Sequence, residues 1–199
     1  MNPLKKKKII SVLKYTWPFY IIVALLVAFG LRFIFGITHR LPGYKKLTLF
    51  VSGEVTELKK LNDNMLTKYQ DKGIKEFSCI SSHPSESTYL TRLTVAGYGS
   101  ADVLILPHSV LETVYASGFA LDLSNELIAS RYSSFTIYAE EEVNYGVKLD
   151  KEKVKEYMIL PDEDCYLFLN ARSYNTGEYS IDQKAEHDMA LCVLEDWGM

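Results

Sequence analysis

The chain has 199 residues, 48% hydrophobic and 24% charged, the proportions of a folded protein and not of a disordered one. Eleven glycines, six prolines and three cysteines exclude collagen-like and disulfide-scaffold classes. The net charge of −3 is unevenly spread. Residues 1–41 hold seven basic residues and no acid, so residues 42–199 hold 15 bases against all 25 acids, a net of −10. An acidic domain follows a basic, apolar arm, which excludes nucleic acid as its partner because phosphate binding needs a basic face.

Trp17 to Leu31 is uncharged, and Phe33 to Ile37 resume the apolar run after Arg32. Counted from Trp17 through Ile37 the stretch forms a helix of ~32 Å, long enough to cross the hydrocarbon core of a bilayer. Arg32 can snorkel at one end, and Trp17 and Tyr20 sit at the other, where amphipathic rings prefer the interface. Pro18 is expected in the first turn, where its missing N–H costs little. The expected organisation is a basic cytoplasmic segment 1–14, a transmembrane helix 15–37, a tether 38–45 and an extracytoplasmic domain 46–199. Five lysines ahead of the span, against Arg40, Lys45 and Lys46 behind it, favour this orientation in the cell membrane. A cleaved signal peptide is the alternative, with Ala28-Phe29-Gly30 as a small-x-small triplet. Cleavage there would leave Leu31 to Ile37 on the mature end, so the uncleaved anchor is preferred.

Lys46 to Ser52 reads as a strand closed by Gly53-Glu54. Leu58, Leu61, Met65, Leu66 and Tyr69 form the stripe of an amphipathic helix that Gly73 stops. Ile74 to Ile80 is a second strand, followed by the loop Ser81-Ser82-His83-Pro84. Ser85 or Ser87 caps a second helix with Leu90, Leu93 and Ala96 inward, ended by Gly97 and Gly99. Ala101 to Leu106 is a continuous apolar run, the pattern of a strand covered on both faces, and Pro107 ends it. Ser109-x-x-Glu112 has the form of a capping box opening a helix that stops at Gly118. Alternating strands and helices predict parallel pairing with right-handed crossovers. Phe119 to Leu123 is a short strand or loop, and Ser124 is a candidate cap for a short helix. Phe135 to Ala139 and Tyr145 to Leu149 are strands around the turn Glu140-Glu141-Glu142. Cys165 to Asn170 is a further strand. Ser180-x-x-Gln183 is a second capping box, opening a helix with Ile181, Ala185, Met189, Cys192, Val193 and Trp197 on one face. The predicted class is α/β: a single three-layer α/β/α domain with a mostly parallel sheet, preceded by one transmembrane helix.

Little in the string points to catalysis. Gly97-Tyr98-Gly99 follows a helix and precedes a strand, the reverse of a dinucleotide loop. His39, His83, His108 and His187 show no ligand spacing. Asp162-Glu163-Asp164 lacks the alternating oxygens of a calcium loop. Cys79, Cys165 and Cys192 lie in apolar runs without paired spacing and read as small buried hydrophobes, a disulfide being the lesser alternative. No enzyme, metal or cofactor is expected.

AGYGSADVLILP (96–107), ASGFALDLS (116–124) and NYGVKLD (144–150) occur in an order that resembles the solute-binding proteins of ABC importers, as do the first strand with Gly53 and the segment YLFLN. The resemblance covers about Lys46 to Trp197. It implies a non-catalytic binding fold whose members close two α/β lobes over a solute. Here only 15 residues separate Leu149 from Cys165, too few for a second lobe, and a membrane helix stands where the family carries a lipid-bearing cysteine. The chain therefore resembles the first lobe alone.

In open parallel sheets, ligands bind outside the carboxyl ends of the strands. This rule selects Ser52, Gly53, Glu54, Ser82, His83, His108 and Ser109 as ligand-binding candidates, with Tyr98 or Tyr145 as a stacking face. A half-wet site predicts weak capture of a small polar solute, with Kd of order ~0.1–1 mM. Two functions stand: ligand binding in association with the bilayer and an ABC permease or another membrane protein, or an interaction module that kept the fold and lost the solute.

Overall fold

The computed structural model describes residues 3–38, 41–124, 126–176 and 188–199. Its contacts divide the chain into an N-terminal unit up to Leu41 and a second unit, Pro42–Met199. The first unit is one helix, α1 (Pro3–Thr38). Its window Thr16–Phe33 has a mean hydropathy of 1.7 and no buried residue, and is long and apolar enough to span a membrane. Helix α1 begins at Pro3, so Pro18 lies inside it and not in its first turn as expected. The lysine run, made of good helix formers, extends the helix backwards, and Pro18 leaves the carbonyl four residues earlier without its donor.

The second unit is built on a six-stranded sheet of mixed direction. Strand β1 (Lys46–Ser52) is followed by the short β2 (Glu54–Val55), helix α2 (Leu58–Lys68) and β3 (Glu76–Ser82). Helix α3 (Tyr89–Arg92) runs into a π-helical turn, Leu93–Tyr98, before β4 (Val103–Pro107) and the short α4 (His108–Leu111). Helix α5 (Glu126–Tyr132), the hairpin β5 (Ile137–Glu140) and β6 (Val143–Lys148), α6 (Lys151–Val154), β7 (Met158–Ile159), β8 (Cys165–Leu169) and α7 (Met189–Trp197) complete it. The strand order is β3-β1-β4-β8-β6-β5, with β2 and β7 forming a separate two-stranded ladder.

Pairing of β1 with β3 and with β4 is parallel, as the strand–helix alternation predicts. The pairings β4–β8, β8–β6 and β6–β5 are antiparallel, so the sheet is mixed. After α4 each strand of the sheet instead runs antiparallel to its neighbours, β5 and β6 being joined by a tight turn. That turn places Glu141 and Glu142 at φ of 50° and 69°.

Alternation along the central strands separates two cores. Leu47, Leu49 and Val51 of β1, Val103 and Ile105 of β4, and Leu167 and Leu169 of β8 pack with Leu61 and Met65 of α2 and Val193 of α7. Phe50, Leu104, Leu106 and Phe168 point the other way and pack with Tyr89, Leu93, Leu111 and Phe119. Cys165 and Cys192 are buried and Cys79 half-buried, all three as thiols.

Three local expectations change. Leu90 is 58% exposed while Tyr89 and Leu93 are buried. The π-helical turn lengthens the period, so Leu93 and Gly97 share the inner line and Gly97 does not end the helix. A Cβ at Gly97 would lie 2.9 Å from the Leu93 side chain and 3.2 Å from Leu104, so glycine permits close helix–sheet approach. The capping box at Ser109 does not form, because Ser109 lies within α4 and its hydroxyl donates to Glu163 instead. Ser124 uses its hydroxyl to accept the Asn144 N–H. His39, Arg40, Ser180, Ile181, Gln183, Ala185 and His187 lie outside the described residues.

Candidate functional site

Parallel pairing brings the carboxyl ends of β1, β3 and β4 to one edge of the sheet, with Ser52 opposite Ser82 in register. The candidate residues do meet there, but in two different environments. Ser52 is fully buried, and its hydroxyl shares a 2.6 Å hydrogen bond with the Tyr89 phenol, whose pKa burial pushes up to about 12. The Gly53 N–H donates to the Ser82 carbonyl at 3.2 Å. Ser82, also buried, donates its hydroxyl to the Glu86 carboxylate at 3.0 Å, and the His83 N–H donates to the other Glu86 oxygen at 3.1 Å. These bonds hold Glu86 below the usual carboxylate range, the His83 N–H first. His83 shares a 2.7 Å bond with the Ser85 hydroxyl through Nδ1.

Against Gly53 runs a strap, residues 157–164. Glu54 and Val55 pair antiparallel with Ile159 and Met158, and the Tyr157 carbonyl accepts the N–H groups of Thr56 and Glu57. A Cβ at Gly53 would stand 2.5 Å from the Ile159 carbonyl oxygen, so only glycine lets the strap lie this close. Lys151 Nζ donates to the carbonyls of Pro161 and Glu163. Glu163 closes the far end: its carboxylate accepts the Ser109 N–H at 2.7 Å and the Ser109 hydroxyl at 2.6 Å. Asp164 accepts from Lys148 at 2.8 Å and is held below the usual carboxylate range by that bond, while its carbonyl accepts the His108 N–H at 2.9 Å. Asp150 caps α6, which feeds the strap, by accepting the Glu152 N–H at 3.1 Å.

Ser52, Gly53 and Ser82 are thus buried with their polar groups paired, and Gly53 lies directly against the strap at the Ile159 carbonyl. Glu54, His83, His108 and Ser109 are exposed around it. The His108 ring lies 6.5 Å from Tyr138 and 6.2 Å from Tyr166, a half-exposed aromatic group of the antiparallel strands. Tyr145 is half-buried on β6. Tyr98 stacks on Phe119 at 4.3 Å where the chain enters β4, away from this edge.

Four residues that organise the domain carry no short motif. Glu86 stands alone in a serine-rich loop, and Glu163 lies within the charge run Asp162-Glu163-Asp164. Asp102 and Asn170 flank apolar strands, the one available signal. Asp102 is 7% exposed and accepts the Thr48 N–H at 2.7 Å and the Ser173 hydroxyl at 2.6 Å. Burial still pushes its pKa up to about 6. Asn170 donates through Nδ2 to the carbonyls of Tyr98 and Ala101, each at 2.9 Å. Among the described residues no three of His, Cys, Asp and Glu converge as a metal-ligand group.

No known protein-family model matches the chain, and no curated protein matches it.

Proposed function

We propose that this is a single-pass membrane protein with its N-terminus in the cytoplasm and its acidic domain outside. The domain is read as a three-layer α/β/α unit built like the first lobe of an ABC-importer solute-binding protein, and it serves as an accessory interaction module of a membrane complex. The observation carrying this reading is the strap: residues 157–164 lie against Gly53, pair with Glu54 and Val55 and reach Ser109 at the edge where a solute would sit, anchored by Lys151 and Glu163. A small-molecule site ordinarily buries most of its ligand in a cleft. Here the same edge instead presents Ile159, 61% exposed, and Leu58, 50% exposed, as apolar contacts for a protein. Capture of a small polar solute for a permease is the second reading, favoured by the exposed His108 beside Tyr138 and Tyr166.

The test is site-specific photo-crosslinking at Ile159 in intact cells, combined with protease digestion of spheroplasts bearing a C-terminally tagged chain. A discrete membrane-protein adduct, with the tag digested from outside, is expected. A solute that saturably protects the purified full chain from thermal unfolding, with no adduct at Ile159, would replace the first reading by the second. A tag protected until the membrane is permeabilised would reverse the orientation.

A further inference from the structure

The edge of the sheet opposite the strap carries a separate cleft. It opens where the chain enters β4 and leaves β8, has a volume of about 190 Å³, and is lined by Tyr98, Ser117, Phe119, Asn170 and Arg172. We propose that this cleft binds a small monocarboxylate with a flat apolar body, with Arg172 as the counter-ion and the Tyr98–Phe119 pair as the apolar wall.

The floor is pre-organised. Asn170 is 3% exposed, its Nδ2 is fixed on the carbonyls of Tyr98 and Ala101, and its Oδ1 accepts the Arg172 N–H at 3.0 Å. That last bond sets the backbone from which the Arg172 side chain rises. The wall is two stacked rings, 4.3 Å apart and inclined by 13°. Phe119 is itself buried and held edge-on against Phe168 at 5.7 Å.

The charge is unmet. Among the described residues of this unit, Arg92 pairs with Glu86, and Arg131 pairs with Asp188 and Glu195. Arg172 is exposed, and among the described residues its guanidinium has neither an ion pair nor a hydrogen bond. In a unit whose net charge is −10, Arg172 has no acid beside it among the described residues, while Arg92 and Arg131 are paired. A guanidinium binds a carboxylate through two parallel N–H donors, and the exposed Ser117 hydroxyl adds a third donor at the rim. Glu140 sets the limit on ligand charge: its carboxylate accepts the Ser117 N–H at 3.2 Å and disfavours a second negative charge there. The volume falls below the ~300 Å³ at which drug-sized sites begin, so the ligand is of the size of a simple aromatic acid. The site lies across the sheet from the strap and stands independently of the interaction reading.

The experiment uses the full chain in detergent micelles, labelled with ¹⁵N at arginine, and follows the Arg172 Nε–H resonance. Benzoate is the probe, benzamide its uncharged isostere. Benzoate is expected to shift that resonance saturably with a millimolar Kd, and benzamide to bind at least about tenfold more weakly, since the charged oxygen supplies the discrimination. Arg172→Gln removes the counter-ion and is expected to weaken benzoate at least about tenfold, read from main-chain amides of Ser117 and Ala171 in a uniformly ¹⁵N-labelled sample of each chain. Gly118→Phe keeps the charge and fills the mouth. A Cβ at Gly118 meets nothing within 4 Å, so the backbone accepts a side chain there; with the fold checked by unchanged core amide resonances, the variant is expected to abolish the Arg172 shift. Equal shifts with benzoate and benzamide, unchanged affinity in either variant, or no saturable shift of Arg172 would each overturn the proposal.

Discussion

Asp102 offers the sharpest test of how the domain is held together. Its carboxylate joins β4 to β1 through Thr48 and to the segment after β8 through Ser173, at only 7% exposure. Burial outweighs these bonds and raises its folded pKa from 3.8 to about 6. The folded state therefore binds the proton more tightly than the unfolded state does. Stability from this group is fully present below pH ~4 and is lost as the pH rises through about 6. A difference of about two pKa units corresponds to roughly 3 kcal/mol at 1.36 kcal/mol per unit. For a unit of this size that is roughly 6–12 °C in Tm. Glu86, Glu156 and Asp164, all held low by their hydrogen bonds, act in the opposite sense, their contribution being lost on the acid side as the pH falls. Asp102→Asn keeps an acceptor for the Thr48 N–H and removes the charge, so it is expected to abolish the slope and to equal or exceed the wild type at pH 7.5. Asp102→Ala leaves buried donors on Thr48 and Ser173 unpaired; its cost is expected to be largest near pH 4.5, at least about 2–4 kcal/mol, and to shrink as the pH rises through about 6 and the wild type loses the Asp102 contribution. Near-ultraviolet circular-dichroism melts of the full chain in micelles between pH 4.5 and 7.5 read these values. A wild-type Tm flat across that range, or an Asn variant with the same slope, would refute the reasoning.

Two further substitutions probe the strap and the core. Gly53→Ala places a methyl group 2.5 Å from the Ile159 carbonyl, so the strap must lift; amide exchange in residues 157–164 is expected to accelerate while the β1 amides stay protected. Val103→Asp puts an unpaired charge at a position 1% exposed in the central strand, a cost of several kcal/mol on the order of the domain's whole stability, and the melt is expected to lose its cooperative transition.

Much of the scaffold was legible in the string because it rests on local periodicity and composition. The continuous apolar run 101–106 supplied most of β4 (Val103–Pro107), buried on both faces; of the stripe Leu58, Leu61, Met65, Leu66 and Tyr69, Leu61, Met65 and Tyr69 are buried and Leu66 partly so, while Leu58 at the start of α2 is 50% exposed. Gly73 stops that region in the left-handed conformation, at φ 90°. The uncharged segment from Trp17 became an exposed apolar helix. Which residues gather at the ends of β1, β3 and β4 also followed from order alone, since parallel crossovers align those ends. What happens at that edge did not follow. Residues 157–164, about 100 positions further along, return against Gly53 and pair with Glu54 and Val55, while Ser52 and Ser82 bond to Tyr89 and Glu86; no local pattern encodes that approach. The register of β2 with β7 and the closeness allowed by Gly53 are tertiary facts. The Ser109–Glu163 contact, 54 residues apart, overrode a capping box that the local sequence spells out, because a carboxylate positioned by the strap offers both donors of Ser109 an acceptor. Asp102 and Arg172 are single charged residues beside apolar strands in the sequence. Only the fold makes one a buried tie and leaves the other, without an ion pair among the described residues, at the lining of an aromatic cleft, since burial and partner distance are set by chain segments far away.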